Sequence, residues 1–175
     1  TGFLRFVNAT AGPTSFTVTT SHDTIPNLEV ATTSGQAFNV LGVADLVVSS
    51  TFLHTSGSIG LTTNLRVSGN TYTVNDKDLA TIGGAAILFL APTTGTLTVT
   101  VNDAVAPTVS ASYVVNNLNI NGNVTLNAVA SVTGLDVNNA TFTHANGLLT
   151  FGTTDLLMTG SDRKSVVLGK SFDIG

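Results

Sequence analysis

The sequence predicts an all-β protein, an antiparallel β-sandwich of Ig-like or jelly-roll-like form, built as one sandwich or as two small β units. Apolar and polar residues alternate with period two along most of the chain, and Gly, Asn, Asp, Ser or Pro recur about every 8–12 residues. The composition agrees. Apolar residues make up 42% and charged residues only 9%, against roughly 25% charged in an ordinary soluble domain. Polarity comes from Thr, Ser and Asn, and Thr suits a pleated surface.

The elements follow in order. LRFVNA (4–9), the Gly12-Pro13 turn and SFTVTT (15–20) read as strand, turn, strand. AFNVLGV (37–43), DLVVSSTFL (45–53) and SIGLTTNLRV (58–67) come next, then a turn at Ser68-Gly69-Asn70 and TYTV (71–74). DKDLATI (76–82) is a single surface helical turn at most. GGAAILFLAP (83–92) is the most apolar run; it falls short of the about 20 residues a membrane helix needs and reads as a core strand. In GTLTVTV (95–101), Leu97, Val99 and Val101 share one face, and Thr96, Thr98 and Thr100 the other.

Pro107 cannot donate to a ladder, so NDAVAP (102–107) reads as a joint. It separates a β-sandwich domain at 1–105 from a second β-rich unit at 108–175, which packs into the same sandwich or stands beside it. The second unit holds SASYVV (110–115), LNINGNVTLNAV (118–129), GLDVNNATFTHA (134–145), GLLTFG (147–152) and DLLMTG (155–160). In 118–129, Leu118, Ile120, Val124 and Leu126 alternate with Asn117, Asn119, Asn121, Asn123 and Asn127. Asn121-Gly122 fits a two-residue hairpin turn, a continuing strand, or one coil of a β-solenoid. No fixed period repeats, so a solenoid is not predicted for the chain.

The bulk properties exclude several functions. The net charge is −4, and six Lys and Arg are scattered along the chain. No basic stripe is present to meet phosphates, so no nucleic-acid partner is expected. With no Cys, there is neither thiol catalysis nor a disulfide scaffold, which fits an exported protein held by sheet packing. The opening at Thr1 fits a removed leader or a piece of a longer protein.

Catalytic and metal motifs are missing. Gly169-Lys170-Ser171 has the tail of a phosphate loop, but its first glycine would fall at Lys164, and no helix follows. His22, His54 and His144 are far apart in sequence and read as surface or partly buried residues. Asn75, Asp76 and Asp78 put three oxygen ligands within four residues, a minimal calcium candidate; Lys77 opposes it, and a solvated turn is the plainer reading. Neither a cofactor nor a resident metal is expected, and the chain is read as a non-enzyme. Sequons stand at Asn8-Ala9-Thr10, Asn123-Val124-Thr125 and Asn139-Ala140-Thr141.

GFLRFVNATAGPTSFTV (2–18) resembles the opening of a bacterial cell-envelope β-sandwich domain of unassigned function, which begins with a strand like VRFVNASP. Gly69-Asn70-Thr71-Tyr72-Thr73-Val74 is similar to that family's GxxYTV strand. The chain departs at the second strand, where Phe16-Thr17-Val18 replaces an Asp-Val-Tyr core. Residues 108–175 look like the Asn- and Thr-rich stretches of phage fibres and adhesins. The resemblance implies an exported sandwich without catalytic residues.

The function expected from these residues is structural: an exported, self-assembling subunit of a filament or surface layer. It would work by β-strand pairing or exchange with other copies. The inter-subunit strands would carry Phe3, Leu4, Phe6 and Val7 at one end and Val166, Val167, Leu168 and Phe172 at the other. The amide face at Asn117, Asn119, Asn121, Asn123 and Asn127 is either a wet sheet face or an interaction face. A virion fibre, tail or capsid-decoration protein shares the same physics. A carbohydrate-binding or adhesive module, with a glycan partner, is the third reading.

Overall fold

The computed structural model describes residues 2–7, 14–19, 23–33, 36–76, 79–102, 112–128, 134–138, 142–146, 148–151, 155–159 and 166–167. The strands are, in chain order, β1 (Leu4–Phe6), β2 (Thr14–Val18), β3 (Asp23–Ala31), β4 (Ala37–Gly42), β5 (Leu46–Leu61) and β6 (Leu65–Val67). They continue as β7 (Thr71–Val74), β8 (Ala80–Gly84), β9 (Leu88–Leu90), β10 (Thr96–Val101), β11 (Ser112–Val115) and β12 (Leu118–Asn121). The last are β13 (Asn123–Ala128), β14 (Gly134–Asn138), β15 (Phe142–Asn146), β16 (Leu149–Phe151), β17 (Asp155–Thr159) and β18 (Val166–Val167).

Every pairing among these strands is parallel. The pairings sort into three stacks. The first runs from the start of β3 through the start of β5 to β6, β9, β12, β15 and β18. The second runs β1, the rest of β3, the middle of β5, then β7, β10, β13 and β16. The third runs β2, β4, the end of β5, then β8, β11, β14 and β17. The chain visits the stacks in that order and then starts a new layer. This is a parallel β-solenoid of stacked three-sided coils.

The antiparallel sandwich expected from the sequence, and implied by its resemblance to envelope domains, is therefore corrected. Alternation and regular turns arise equally in both architectures, because each coil face is a short strand with one side in and one side out. Parallel strands need a long crossover, and here the other two faces of each coil supply it. Asn121-Gly122 turns a corner between β12 and β13 and is not a hairpin. The most apolar run is not one strand: Gly83 and Gly84 end β8, and Leu88–Leu90 form β9. The helical turn expected at 76–82 is replaced by a turn at Leu79 and strand β8. Ladders β8–β11, β9–β12 and β10–β13 connect strands on either side of the expected joint, whose residues 103–107 lie outside the described residues.

The core is a set of columns, each residue sitting on its counterpart one layer away. Leu46, Leu65, Leu88 and Leu118 form one column in the first stack, and Val48, Val67, Leu90 and Ile120 the next. All eight are buried. The third stack adds Phe38 on Ile59 on Ile82 on Val115. Burying one such side chain stabilises by about 1.5–3 kcal/mol.

The corners have their own ladders. Leu46 N donates to Asn64 O, Leu65 N to Ile87 O and Leu88 N to Asn117 O, so one corner repeats through successive layers. Gly57 makes the sharp bend inside β5 with φ of +86°. A Cβ there would overlap Thr32 Oγ1, whose hydroxyl donates to Gln36 O at 3.2 Å.

Two stability outcomes are expected from chemical denaturation. Leu88→Ala should cost about 2–5 kcal/mol, as for a fully packed leucine. Gly57→Ala should lower the midpoint clearly, since left-handed strain costs about 1–3 kcal/mol before the overlap is counted, whereas Gly83→Ala, with only Asn116 Nδ2 at 3.8 Å, should be close to neutral.

Candidate functional site

Two polar constellations stand out. One is buried. His54 lies on the inner side of β5, Tyr72 on β7 and Tyr113 on β11, all without significant exposure. His54 Nε2 is 2.8 Å from Gly57 O, and its Nδ1 is 2.8 Å from the Tyr113 hydroxyl. The Tyr72 and Tyr113 hydroxyls are 2.6 Å apart. A carbonyl only accepts, so Nε2 carries the proton and Nδ1 accepts from Tyr113. Tyr113 is then committed as a donor to His54, and Tyr72 donates to Tyr113. The result is one directed chain, from Tyr72 through Tyr113 and His54 to Gly57, that ties the second stack to the third across the interior. Phe52 stacks on Tyr72 at 4.6 Å between ring centroids and closes the chain on one side.

Burial fixes the charge state. Desolvation pushes His54 down to about 4, only partly countered by its bond to Gly57 O. Burial likewise raises both tyrosines. The chain is neutral, buried and hydrogen-bonded throughout. Tyr113 donates to the imidazole as a nucleophile does to a base, but all three side chains are fully buried and present no reacting atom at the surface. The chain is a core strut.

The second constellation is on the outside of the second stack. Thr51, Thr71, Thr98, Thr125 and Thr150 are successive register partners, one per layer. Beside them runs Leu53, Thr73, Thr100 and Asn127. Their chain neighbours Phe52, Tyr72, Val74, Val99, Val101, Val124 and Leu126 are all buried, so alternation turns both rows outward. Charge is confined to one end of this face, where Arg5 pairs with Glu29 at 2.6 Å.

The amides fall in several places. Asn117 sits at a corner and donates to the carbonyls of Gly84, Ala85 and Ala86 at 3.3–3.4 Å. Asn119 lies on β12, outside the first stack, where its Oδ1 is buried without a hydrogen-bond partner. Asn121 ends β12. Asn123 opens β13 and accepts from Leu148 N at 3.0 Å, and Asn127 stands in the outer row of the second stack. Gly122, with φ of +135°, divides this set between two faces. Asn64 stands at the same corner two layers away, donating to Asp45 Oδ1 and accepting from Ile87 N. Arg66 bonds Asp45 at 3.1 Å and lies 4.5 Å above the Phe89 ring.

The end-strand residues divide similarly. Phe3, Leu4 and Val7 are exposed, and Phe6 is half-buried and packs on Phe38 at 4.2 Å. Val166 and Val167 form β18 on β15; Leu168, Phe172 and the Gly169-Lys170-Ser171 stretch lie outside the described residues. So do His22, Asp78 and the sequons at Asn8 and Asn139. Asp76 is buried, and Asn75 Nδ2 donates to Thr55 Oγ1 at 3.3 Å. Among the described residues, no group of three His, Asp or Glu is placed to hold a metal ion, and no helix is long and apolar enough to cross a membrane.

The Thr96-Thr98-Thr100 face of β10 was legible in the sequence, but the stacking of threonines across layers and the Tyr72–Tyr113–His54 chain were not. His54, read from the sequence as a surface or partly buried residue, is fully buried. The threonine rows had a signal, since Thr71, Thr98 and Thr125 recur at a constant 27-residue spacing, but variable spacing elsewhere hid it. No family model, no curated protein and no solved structure matches this chain.

The buried histidine makes folding pH-dependent. An unfolded histidine titrates near 6.5, so the unfolded chain takes up a proton that the folded chain refuses. His54's contribution is fully present above pH 6.5 and is lost as pH falls toward 4, by about 3 kcal/mol in all. Denaturant midpoints measured across this window should show that decline. In His54→Phe the decline should flatten, while stability at pH 7 drops by about 1–3 kcal/mol because Gly57 O and the Tyr113 hydroxyl lose a partner. An unchanged slope in His54→Phe would contradict the assignment.

Proposed function

We propose that this chain is a non-enzymatic structural segment of an exported assembly at a cell or virion surface, acting as a stiff shaft. The observation that supports the reading is the unbroken parallel stacking. Interior columns, corner hydrogen bonds and outer rows all repeat along one axis, and the buried polar chain is used up in holding the coils together. Such an architecture lengthens by adding layers, because each layer templates the next.

The edge of β1 is where a further layer fits. Leu4 and Phe6 are the inward residues of that layer, over Leu28 and Val30, and Arg5 is the outward one. A following coil on this edge comes from more of the same polypeptide or from another copy, and the pairing is the same in both cases. Phage fibres, surface filaments and adhesive stalks would all use such a shaft.

Electron microscopy and light scattering on the purified chain test this. The expected result is rods or filaments whose length grows with concentration, and an end-layer variant, Leu4→Lys, that shortens them without lowering the melting temperature by more than a few degrees. A monodisperse, compact monomer at every concentration would overturn the self-assembly reading.

A further inference from the structure

We propose that the outer face of the second stack is a binding surface for crystalline ice, formed by the Thr51-Thr71-Thr98-Thr125-Thr150 row and the row beside it through Thr73 and Thr100. Register is the first ground. No shift interrupts the pairings of β5 with β7, β7 with β10, β10 with β13 or β13 with β16. Equivalent threonines therefore repeat about every 4.7–4.9 Å along the solenoid, and the two rows lie about 6.6 Å apart along the strands, twice the rise per residue. This is a two-dimensional lattice of hydroxyls and methyls, with spacings close to the oxygen repeats of hexagonal ice.

The chemistry of the face is the second ground. Between Thr51 and Thr150 the two rows carry no Asp, Glu, Lys or Arg. Ions hold liquid-like hydration shells that do not fit a lattice, and here they are confined to the Arg5–Glu29 end. Threonine is β-branched and stiff at χ1, so the array loses little freedom when it meets a rigid surface. Elsewhere in the chain, hydroxyls hold the fold: those of Thr62, Thr63 and Ser68 donate to the carbonyls of Val40, Ala44 and Val48. The row threonines instead project outward from a face whose inward partners are buried. A polysaccharide site would bring aromatic platforms, and no ring projects from these rows. Leu53 and Asn127 are the departures from threonine in the second row, and they bound its regular part at Thr73 and Thr100.

The inference is independent of whether the chain forms filaments. It is tested on the whole purified chain by nanolitre osmometry and ice-recrystallisation assays. The expected result is faceted ice crystals and a gap between melting and freezing points. Thr98→Lys and Thr71→Lys should each reduce the gap several-fold, Thr98→Ser should reduce it less, and Thr81→Lys, on the third stack, should leave it unchanged. Circular-dichroism melts establish which variants are folded. Unshaped ice and no gap at any concentration would overturn the proposal, as would folded Thr98→Lys and Thr71→Lys variants that keep full activity. A dimer that Thr98→Lys dissociates, with no effect on ice in the parent chain, would also overturn it and assign the face to a second copy of this chain.

Discussion

The structure depends on one constraint: in a parallel ladder each residue has its own counterpart, one layer on, as its nearest lateral neighbour at about 4.7–4.9 Å. Whatever stands at a position must tolerate a companion above and below. Leucine over leucine does so in the core, and threonine over threonine does so outside. Like charges in that arrangement repel, which gives a physical reason for a chain with only 9% charged residues. Two of the charges in the ladders have opposite partners, Arg5 on Glu29 and Arg66 beside Asp45, and Asp23, Asp136 and Asp155 stand in register with uncharged residues.

The same constraint explains the corners. A coil corner exposes backbone carbonyls that no strand partner satisfies, and a buried or half-buried carbonyl left alone is costly. Asn is long enough to reach the neighbouring layer and carries both donor and acceptor. Asn64 uses both, and Asn117 covers consecutive carbonyls from Gly84 to Ala86. The directed chain from Tyr72 to Gly57 is the interior version of the same solution, with each polar atom placed where another layer or stack can complete it. Its burial makes the histidine neutral, and it makes the fold sensitive to acid.

Much of this was legible before the structure, and the rest was hidden for identifiable reasons. The inward residues were readable because alternation marks them in any sheet: Leu97, Val99 and Val101 are inward in a sandwich and in a solenoid alike. Strand direction was not readable, because it is set by which segments stack, and the layer length varies. Leu46 lies on Leu65, 19 residues on, while Thr81 lies on Val114, 33 residues on. That variation erased the period a repeat search relies on. The alternating amides of 117–127 looked like one face because Asn121-Gly122 fits a continuing strand as well as a turn, and the coil geometry makes it a corner. His54 sits at an inward position of β5, but its partner Tyr113 is 59 residues away, and only the coil geometry brings them together.

The most direct test of the parallel solenoid uses the absence of native cysteine. Pairs of cysteines introduced at 71 and 98, at 73 and 100, and at 73 and 96 would be treated with a short bifunctional thiol reagent, and crosslinked chain counted by mass spectrometry. Parallel register requires that 71/98 and 73/100 both link efficiently and that 73/96 does not. An antiparallel sheet that places 71 against 98 must place 73 against 96. Efficient linking of 71/98 with 73/96, and failure of 73/100, would contradict the account.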